Sequence, residues 1–275
     1  MVNNLFINNY TELESLEFIS ELPGIGNIYP TEQRYLQTLT AELGPDVISE
    51  VWQLYQDTGL IGENGKMWGT KDKTGMSIGP VPHSIVVAMT EFTIAKEMGL
   101  SDESAHTLEL AGLVHDAYKR IEIELKNPEA AQQMANTRLI ELFGQEIAEL
   151  ATLSGHTAMP AILEKFNDLK SLIAFWVDNV VVGNQLTTVR AKCDYLDKMA
   201  APQIDQITGE TKPGRYAYND DGIAIYGVPY FTFQRYLASV IEARLVQSAQ
   251  AFGAFNRISM NELSEALQQI LAEKY

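Results

Sequence analysis

The amino-acid sequence predicts a mainly helical, all-α domain with one small β-hairpin near residues 215–227. Apolar residues recur at intervals of three or four along most of the chain, and Pro, Ser and Thr stand where helices begin. The run Leu110–Val114 is apolar or small on every side, which is typical of a helix buried in a core. The hairpin is predicted from alternating residues on both sides of Asp221-Gly222.

The predicted elements follow in order. The segment at Thr11–Glu14 has capping-box spacing, and further helices begin near Thr31, Pro45, Pro82, Ser101 and Thr137. The helix from Ser101 is expected to run to about Leu125, and the one from Thr137 to Leu153. The apolar run Leu169–Val182 is a buried helix or a buried strand. A long helix covers Phe231–Phe252, and Ser259–Glu262 caps the last one.

Residues 59–80 are dense in glycine, which predicts a connector or a lid over a site. Gly65-Lys66 is not a P-loop, because Leu60 stands where a glycine is required and Met67 replaces the Ser/Thr. We expect a single domain without internal repeats. Its core spans about residues 81–200, with a helical N-terminal extension at 1–58 and the hairpin and helices at 201–275.

The composition restricts the class of protein. Of 275 residues, 46% are hydrophobic, which is enough for a sizeable core. The formal net charge of −16 argues against polymeric nucleic acid and anionic membranes, but leaves a small phosphorylated substrate open. The single cysteine, Cys193, fits a reducing compartment. Without a signal-like N-terminus or a long apolar run, a cytoplasmic protein with no membrane contact is expected.

His115-Asp116 interrupts the apolar central run. A buried, unpaired carboxylate costs several kcal/mol, so Asp116 needs a basic side chain or a metal ion. Imidazole beside carboxylate suits a divalent ion, although a satisfied His-Asp pair is the simpler alternative. His83 near a helix start and Asp178 in the later apolar run complete a candidate set of four ligands.

Other interpretations stay open for these residues. The alternative for His83 is a helix cap or a surface residue, and the alternative for Asp178 is a pair with Arg190 instead of a metal. His156, in Gly155-His156-Thr157, is a ligand, a substrate contact or a loop histidine. His106 stands among polar residues and is expected at the surface.

The pattern of His83, His115-Asp116 and Asp178 on successive helices resembles that of the HD-domain superfamily of metal-dependent phosphohydrolases. The segment His115–Lys119 is similar to the family's His-Asp-x-Gly-Lys, with Tyr118 replacing the glycine. Gly155-His156-Thr157, Asp178 and Arg190 also look like the later part of the branch that hydrolyses dinucleoside tetraphosphates. One of that branch's histidines is missing here. The match covers roughly residues 81–196.

The resemblance implies a hydrolase of a small phosphate ester or anhydride, with a nucleotide as the favoured substrate. It implies that His83, His115, Asp116 and Asp178 bind a divalent transition metal: Mn, Co, Ni, Fe or Zn. Asp116 and Lys119 would be catalytic, and Lys119, His156 and Arg190 would contact substrate. With four ligands for one ion, we expect one tightly bound metal, and His156 facing the same cavity.

Two alternatives from other functional classes remain at this point. A minority of the superfamily resembles this pattern but performs di-iron oxidation, which needs roughly six ligands. A non-catalytic regulatory or binding module would keep the fold without chemistry. The apolar C-terminal helix, with Tyr236, Leu237, Val240, Ile241 and Leu245, favours packing on the core or a homodimer.

Overall fold

The computed structural model describes residues 11–125, 128–153, 156–204, 209–214, 216–251 and 263–274. Among these residues the protein is mainly helical, as the sequence predicts, and it has two small antiparallel strand pairs. No helix in the described ranges is long and apolar enough to cross a membrane.

The α-helices are α1 (Glu12–Ser20), α2 (Pro30–Leu43), α3 (Pro45–Asp57), α4 (Pro80–Glu97), α5 (Asp102–Val114), α6 (Lys119–Leu125), α7 (Pro128–Phe143), α8 (Gln145–Ala151), α9 (Met159–Glu164), α10 (Leu169–Asp178), α11 (Val189–Ala200), α12 (Gly222–Tyr226), α13 (Tyr230–Ala251) and α14 (Leu263–Lys274). Strands β1 (Val181–Val182) and β2 (Gln185–Leu186) pair, as do β3 (Gln203–Ile204) and β4 (Thr211–Lys212). Short 3-10 helices cover Ile25–Asn27, His156–Ala158 and Ala217–Asp221.

Helix α4 lies at the centre of the core. It is buried from Pro80 to Ala95, since its apolar residues surround the whole helix instead of one face. Helix α5 packs along it, and α2, α10 and α14 also contact it. On α13, Leu237, Ile241 and Leu245 are buried, so this helix packs on its own core, while Tyr236 and Val240 are exposed. The homodimer stays a prediction.

The predicted helix from Ser101 to about Leu125 is wrong in its middle. Helix α5 ends at Val114, four residues form turns, and α6 begins at Lys119. In a continuous helix the Gly112 carbonyl would accept the amide of Asp116. Here it accepts the Nδ1–H of His115 at 2.7 Å, which gives the chain an alternative to the helical bond. His115 and Asp116 therefore lie just past the helix, not inside it.

The predicted hairpin at 215–227 is misplaced. Residue 215 lies outside the described residues, and residues 217–226 form a 3-10 helix followed by α12. Gly222 is needed for close approach rather than for a turn, because a Cβ there would lie 2.4 Å from the Tyr230 amide nitrogen. One hairpin forms instead at Gly183-Asn184, where Gly183 has a φ of +58°. The run Leu169–Val182 thus contains both alternatives, a helix to Asp178 and then a strand.

The glycine-rich segment forms two similar turns, although the sequence analysis expected no repeats. Antiparallel bridges join Ile61 to Met67 and, ten positions later, Lys71 to Ser77. The Ser77 amide donates to the Asn27 carbonyl at 2.7 Å, and the Asn27 side chain donates to the Gly65 carbonyl at 3.0 Å. These bonds attach the segment to the N-terminal region.

Two helix boundaries also differ from prediction. Helix α7 begins at Pro128 and ends before Gly144, which has a φ of +91°, so the predicted helix from Thr137 to Leu153 is two helices. The capping box at Thr11 and Glu14 is confirmed by bonds in both directions. The predicted cap at Ser259–Glu262 lies outside the described residues.

Candidate metal centre

Two imidazoles and two carboxylates meet where α4 begins and α5 and α10 end. Ligand atoms of His83, His115 and Asp116 lie within 4.8 Å of one another. The Asp178 Oδ1 atom lies 3.3 Å from His83 Nε2 and 3.9 Å from His115 Nε2. The structure therefore brings together all four ligands that the sequence predicts.

Hydrogen bonds determine which nitrogen each imidazole presents. The Nδ1 atom of His83 lies 2.7 Å from the Gly183 carbonyl, and that of His115 lies 2.7 Å from the Gly112 carbonyl. A carbonyl only accepts, so both Nδ1 atoms carry the proton, and a neutral ring then has a lone pair on Nε2. Backbone carbonyls orient metal-bound histidines in this way.

The Nε2 atoms of both histidines lie within 4 Å of carboxylate oxygens of the cluster. His115 Nε2 is buried without a hydrogen bond. Burial outweighs the opposing charge of Asp116 and leaves the pKa of His115 below its usual value, which favours the neutral ring. His83 Nε2 faces Asp178 Oδ1, and two acceptors attract each other only through a proton or a cation. A divalent ion between them fits this donor set.

The carboxylates remain ionised. Burial alone would raise the pKa of Asp178, but Lys192, followed by the imidazoles of His83 and His115, holds it well below the usual value. For Asp116, Lys119 and then the two imidazoles outweigh burial and lower the pKa. Both groups are therefore anionic at neutral pH, the state in which a carboxylate can bind a divalent ion.

Two lysines complete the charged part of the site. Lys119 Nζ lies 4.0 Å from Asp116 Oδ1 and 3.2 Å from Glu122 Oε2, and these carboxylates outweigh burial to raise its pKa. Lys192 Nζ lies 3.6 Å from Asp178 Oδ1 and donates to the Val181 carbonyl at 2.7 Å. The sequence analysis predicted Lys119 and missed Lys192.

The structure places Arg190, which is predicted to contact substrate, at the surface of α11. Its side chain is 86% exposed and lies 3.8 Å from Asp194, whereas the Lys192 side chain is 13% exposed. Val189, Cys193 and Leu196 form the buried stripe of α11, and Lys192 lies closer to this stripe than Arg190 does. Closer attention to helical phase would have favoured the lysine.

Two buried glutamates lie beside the residues whose carbonyls orient the histidines. A Cβ at Gly112 would lie 2.7 Å from Glu91 Oε2, and Asn184, next to Gly183, donates to Glu32 Oε1 at 2.5 Å. Burial raises the pKa of both glutamates, well above the usual value for Glu91. Neither glutamate was predicted, since an isolated glutamate in an apolar helix has no pattern that assigns it to a site.

Gly112 allows α4 and α5 to approach closely beside the ligands. A Cβ at this position would lie 2.7 Å from Glu91 Oε2 and 3.0 Å from the Ala88 Cα and N atoms. Real Cβ atoms rarely come so near to backbone, so a side chain here would displace the helix that carries His83.

The predictions for the remaining two histidines, His156 and His106, have different outcomes. His156 begins a 3-10 helix, but its side chain lies outside the described residues, so its contact with the cavity stays a prediction. His106 is buried, contrary to prediction, with 8% exposure. Its Nδ1 atom lies 3.0 Å from Glu109, and its ring stacks on Phe92.

The ligand cluster opens into a cavity of about 230 Å³. Its charged residues are Asp116, Lys119, Glu122, Asp178 and Lys192. The other walls combine small apolar residues of α7 with aromatic residues from the C-terminal part of the chain. The lining includes His83, His115, Tyr118, Ala131, Gln132, Ala135, Leu139, Thr157, Leu196, Tyr216, Tyr218, Phe231 and Gln234.

Comparison of the chain with protein-family models, with curated proteins and with solved structures found no match.

Proposed function

We propose that this protein is a metal-dependent phosphohydrolase that cleaves a phosphate ester or anhydride of a small molecule, with a nucleotide as the favoured substrate. The proposal includes membership of the HD-domain superfamily. The observation that carries it is the convergence of the Nε2 atoms of His83 and His115 with the carboxylates of Asp116 and Asp178 at a cavity with two lysines.

His83, His115, Asp116 and Asp178 would hold a divalent transition ion. Such an ion supplies Lewis acidity, which polarises a phosphoryl oxygen and lowers the pKa of water. The ammonium group of Lys119 offsets negative charge on the phosphate, because its raised pKa keeps it protonated. The Asp116 carboxylate accepts a hydrogen bond from the attacking water and orients it toward phosphorus.

The proposal is tested by metal content and by two variants. The purified protein should contain a divalent transition metal, and Mn²⁺, Co²⁺ or Ni²⁺ should raise its melting temperature. Asp116→Ala should lose metal and hydrolysis of phosphate compounds together. Lys119→Ala should keep the metal while kcat/KM falls roughly 10- to 1000-fold, the scale of one lost charge contact.

Two results would contradict these assignments. A protein without metal that no added ion stabilises does not have the proposed centre. Loss of the metal in Lys119→Ala would show that the lysine supports the architecture of the site instead of contacting phosphate.

A further inference from the structure

The charge of the cavity limits the number of phosphates it can neutralise. Among the described lining residues, three carboxylates and two ammonium groups leave one net negative charge. Both ammonium groups already lie within 4.0 Å of lining carboxylates. One divalent ion would change the net charge to +1. A phosphomonoester carries about −1.5 to −2 at neutral pH and nearly balances this charge, whereas a triphosphate chain carries roughly twice as much.

The size of the cavity also favours a small substrate. Its volume of about 230 Å³ is below the roughly 300–1,000 Å³ typical of pockets for drug-sized ligands. Two nucleosides joined by four phosphates would extend beyond the cavity that the described residues form. The similarity to the dinucleoside-tetraphosphate branch therefore does not extend to the space available in this site.

The wall beside the lysines is aromatic. The Tyr216 ring centroid lies 5.9 Å from that of Tyr218 and 5.8 Å from that of Phe231, and all three residues line the cavity. Tyr216 and Lys119 line the same cavity. Aromatic faces stack on planar rings such as nucleobases, a contact worth about 1–3 kcal/mol per base.

From charge, volume and this wall we infer that the substrate is a phosphomonoester whose organic part carries a planar ring, the chemical class of a nucleoside 5′-monophosphate. This inference rests on the proposed function. In the reaction, the oxygen of water forms a bond to phosphorus while the ester P–O bond breaks. The leaving oxygen takes a proton, and the products are the nucleoside and inorganic phosphate.

The first experiment compares substrates with the Mn²⁺-loaded full-length protein. Adenosine 5′-monophosphate should exceed adenosine triphosphate and diadenosine tetraphosphate in kcat/KM by about 10-fold or more. Preference for either polyphosphate would overturn the inference while leaving the proposed function intact. Inertness toward every phosphate compound would overturn both.

The second experiment isolates the aromatic wall by replacing Tyr218 with Leu. Calorimetry should show that Y218L binds adenosine 5′-monophosphate roughly 10-fold more weakly than the wild type. The dissociation constant for ribose 5-phosphate should change by less than about 2-fold. Tyr236→Leu, which removes an exposed tyrosine outside the cavity lining, should match the wild type for both ligands. Equal weakening of both ligands by Y218L, or no weakening of either, would overturn the assignment of this wall to a planar group.

Discussion

At the scale of single residues, the candidate site depends on the hydrogen bonds and close contacts of individual buried groups. Gly112 has two roles, since its carbonyl orients His115 and its missing side chain leaves room for Glu91 and Ala88. The burial of His106 also depends on contacts of single residues. Its polar neighbours in sequence predict a surface residue, but Phe92 and Glu109 enclose it.

The substitution Gly112→Ala should destabilise the protein by about 1–3 kcal/mol, the usual cost of overpacking. Alanine favours a helix over glycine by about 1 kcal/mol, but the contacts with Ala88 are to backbone, which cannot move aside alone. Urea denaturation measures the effect. Gly26→Ala is the control, because a Cβ there meets nothing within 4 Å, and it should change stability by less than about 0.5 kcal/mol. Equal stability of the two variants would contradict the predicted overpacking.

His106 should make stability depend on pH near neutrality. Burial lowers its pKa, but its hydrogen bond to Glu109 and the charges of Glu109, Glu42 and Asp102 raise it above the ordinary 6.5. A histidine whose pKa is higher in the folded than in the unfolded state stabilises the folded protein. The stabilisation is complete at pH values below the unfolded pKa and disappears as the pH rises through the folded pKa.

The measurement compares the free energy of unfolding of wild type and His106→Gln between about pH 5.5 and about pH 8.5. The wild-type advantage should be largest below 6.5 and decrease above it. An advantage that stays constant across this range would show that packing against Phe92, not the charge of His106, is responsible.

At the scale of elements, the orientation of α11 determines which cation serves the site. Arg190 and Lys192 are two positions apart on this helix, so their side chains point in different directions. Only Lys192 lies near Asp178. Substitutions at these two positions therefore form a matched pair of test and control variants.

Lys192→Met keeps an apolar stem but removes the ammonium group. It should lower kcat/KM roughly 10- to 1000-fold, because Asp178 and the bound phosphate lose a positive neighbour. Arg190→Met removes an exposed charge and should stay within about 2-fold of the wild type. Steady-state kinetics on the same phosphomonoester measure both. The reverse order of effects would restore Arg190 as the substrate contact.

At the scale of the whole molecule, distant parts of the chain support one centre. Glu32 on α2 is linked to Asn184 at the turn of the β1–β2 hairpin, across 152 positions. The neighbouring Gly183 carbonyl orients His83. The N-terminal extension therefore reaches the candidate metal ligands through two hydrogen bonds.

Replacing Glu32 with Leu should weaken Mn²⁺ binding about 10- to 100-fold, the usual effect of losing support behind a ligand. Glu32→Gln should bind Mn²⁺ within about 3-fold of the wild type, because an amide oxygen can still accept from Asn184. Calorimetry gives the dissociation constants, and circular dichroism confirms that both variants are folded. Equal loss in both would indicate that the carboxyl group itself is required.

The sequence alone determined the helical class, most helix positions and all four residues of the ligand cluster. These features are local, since apolar spacing and capping residues depend on neighbours a few positions away. A carboxylate or imidazole in an apolar run is informative by itself, because burial without a partner is costly. His83, His115-Asp116 and Asp178 were found in this way.

Only the tertiary structure decided the surroundings of the cluster. The contact between His83 and Asp178 spans 95 positions, and that between Glu32 and Asn184 spans 152. Such contacts leave no periodic pattern in the sequence. The choice of Lys192 over Arg190, the burial of His106 and the helical course of residues 217–226 all follow from packing between distant segments, which overrides local preference.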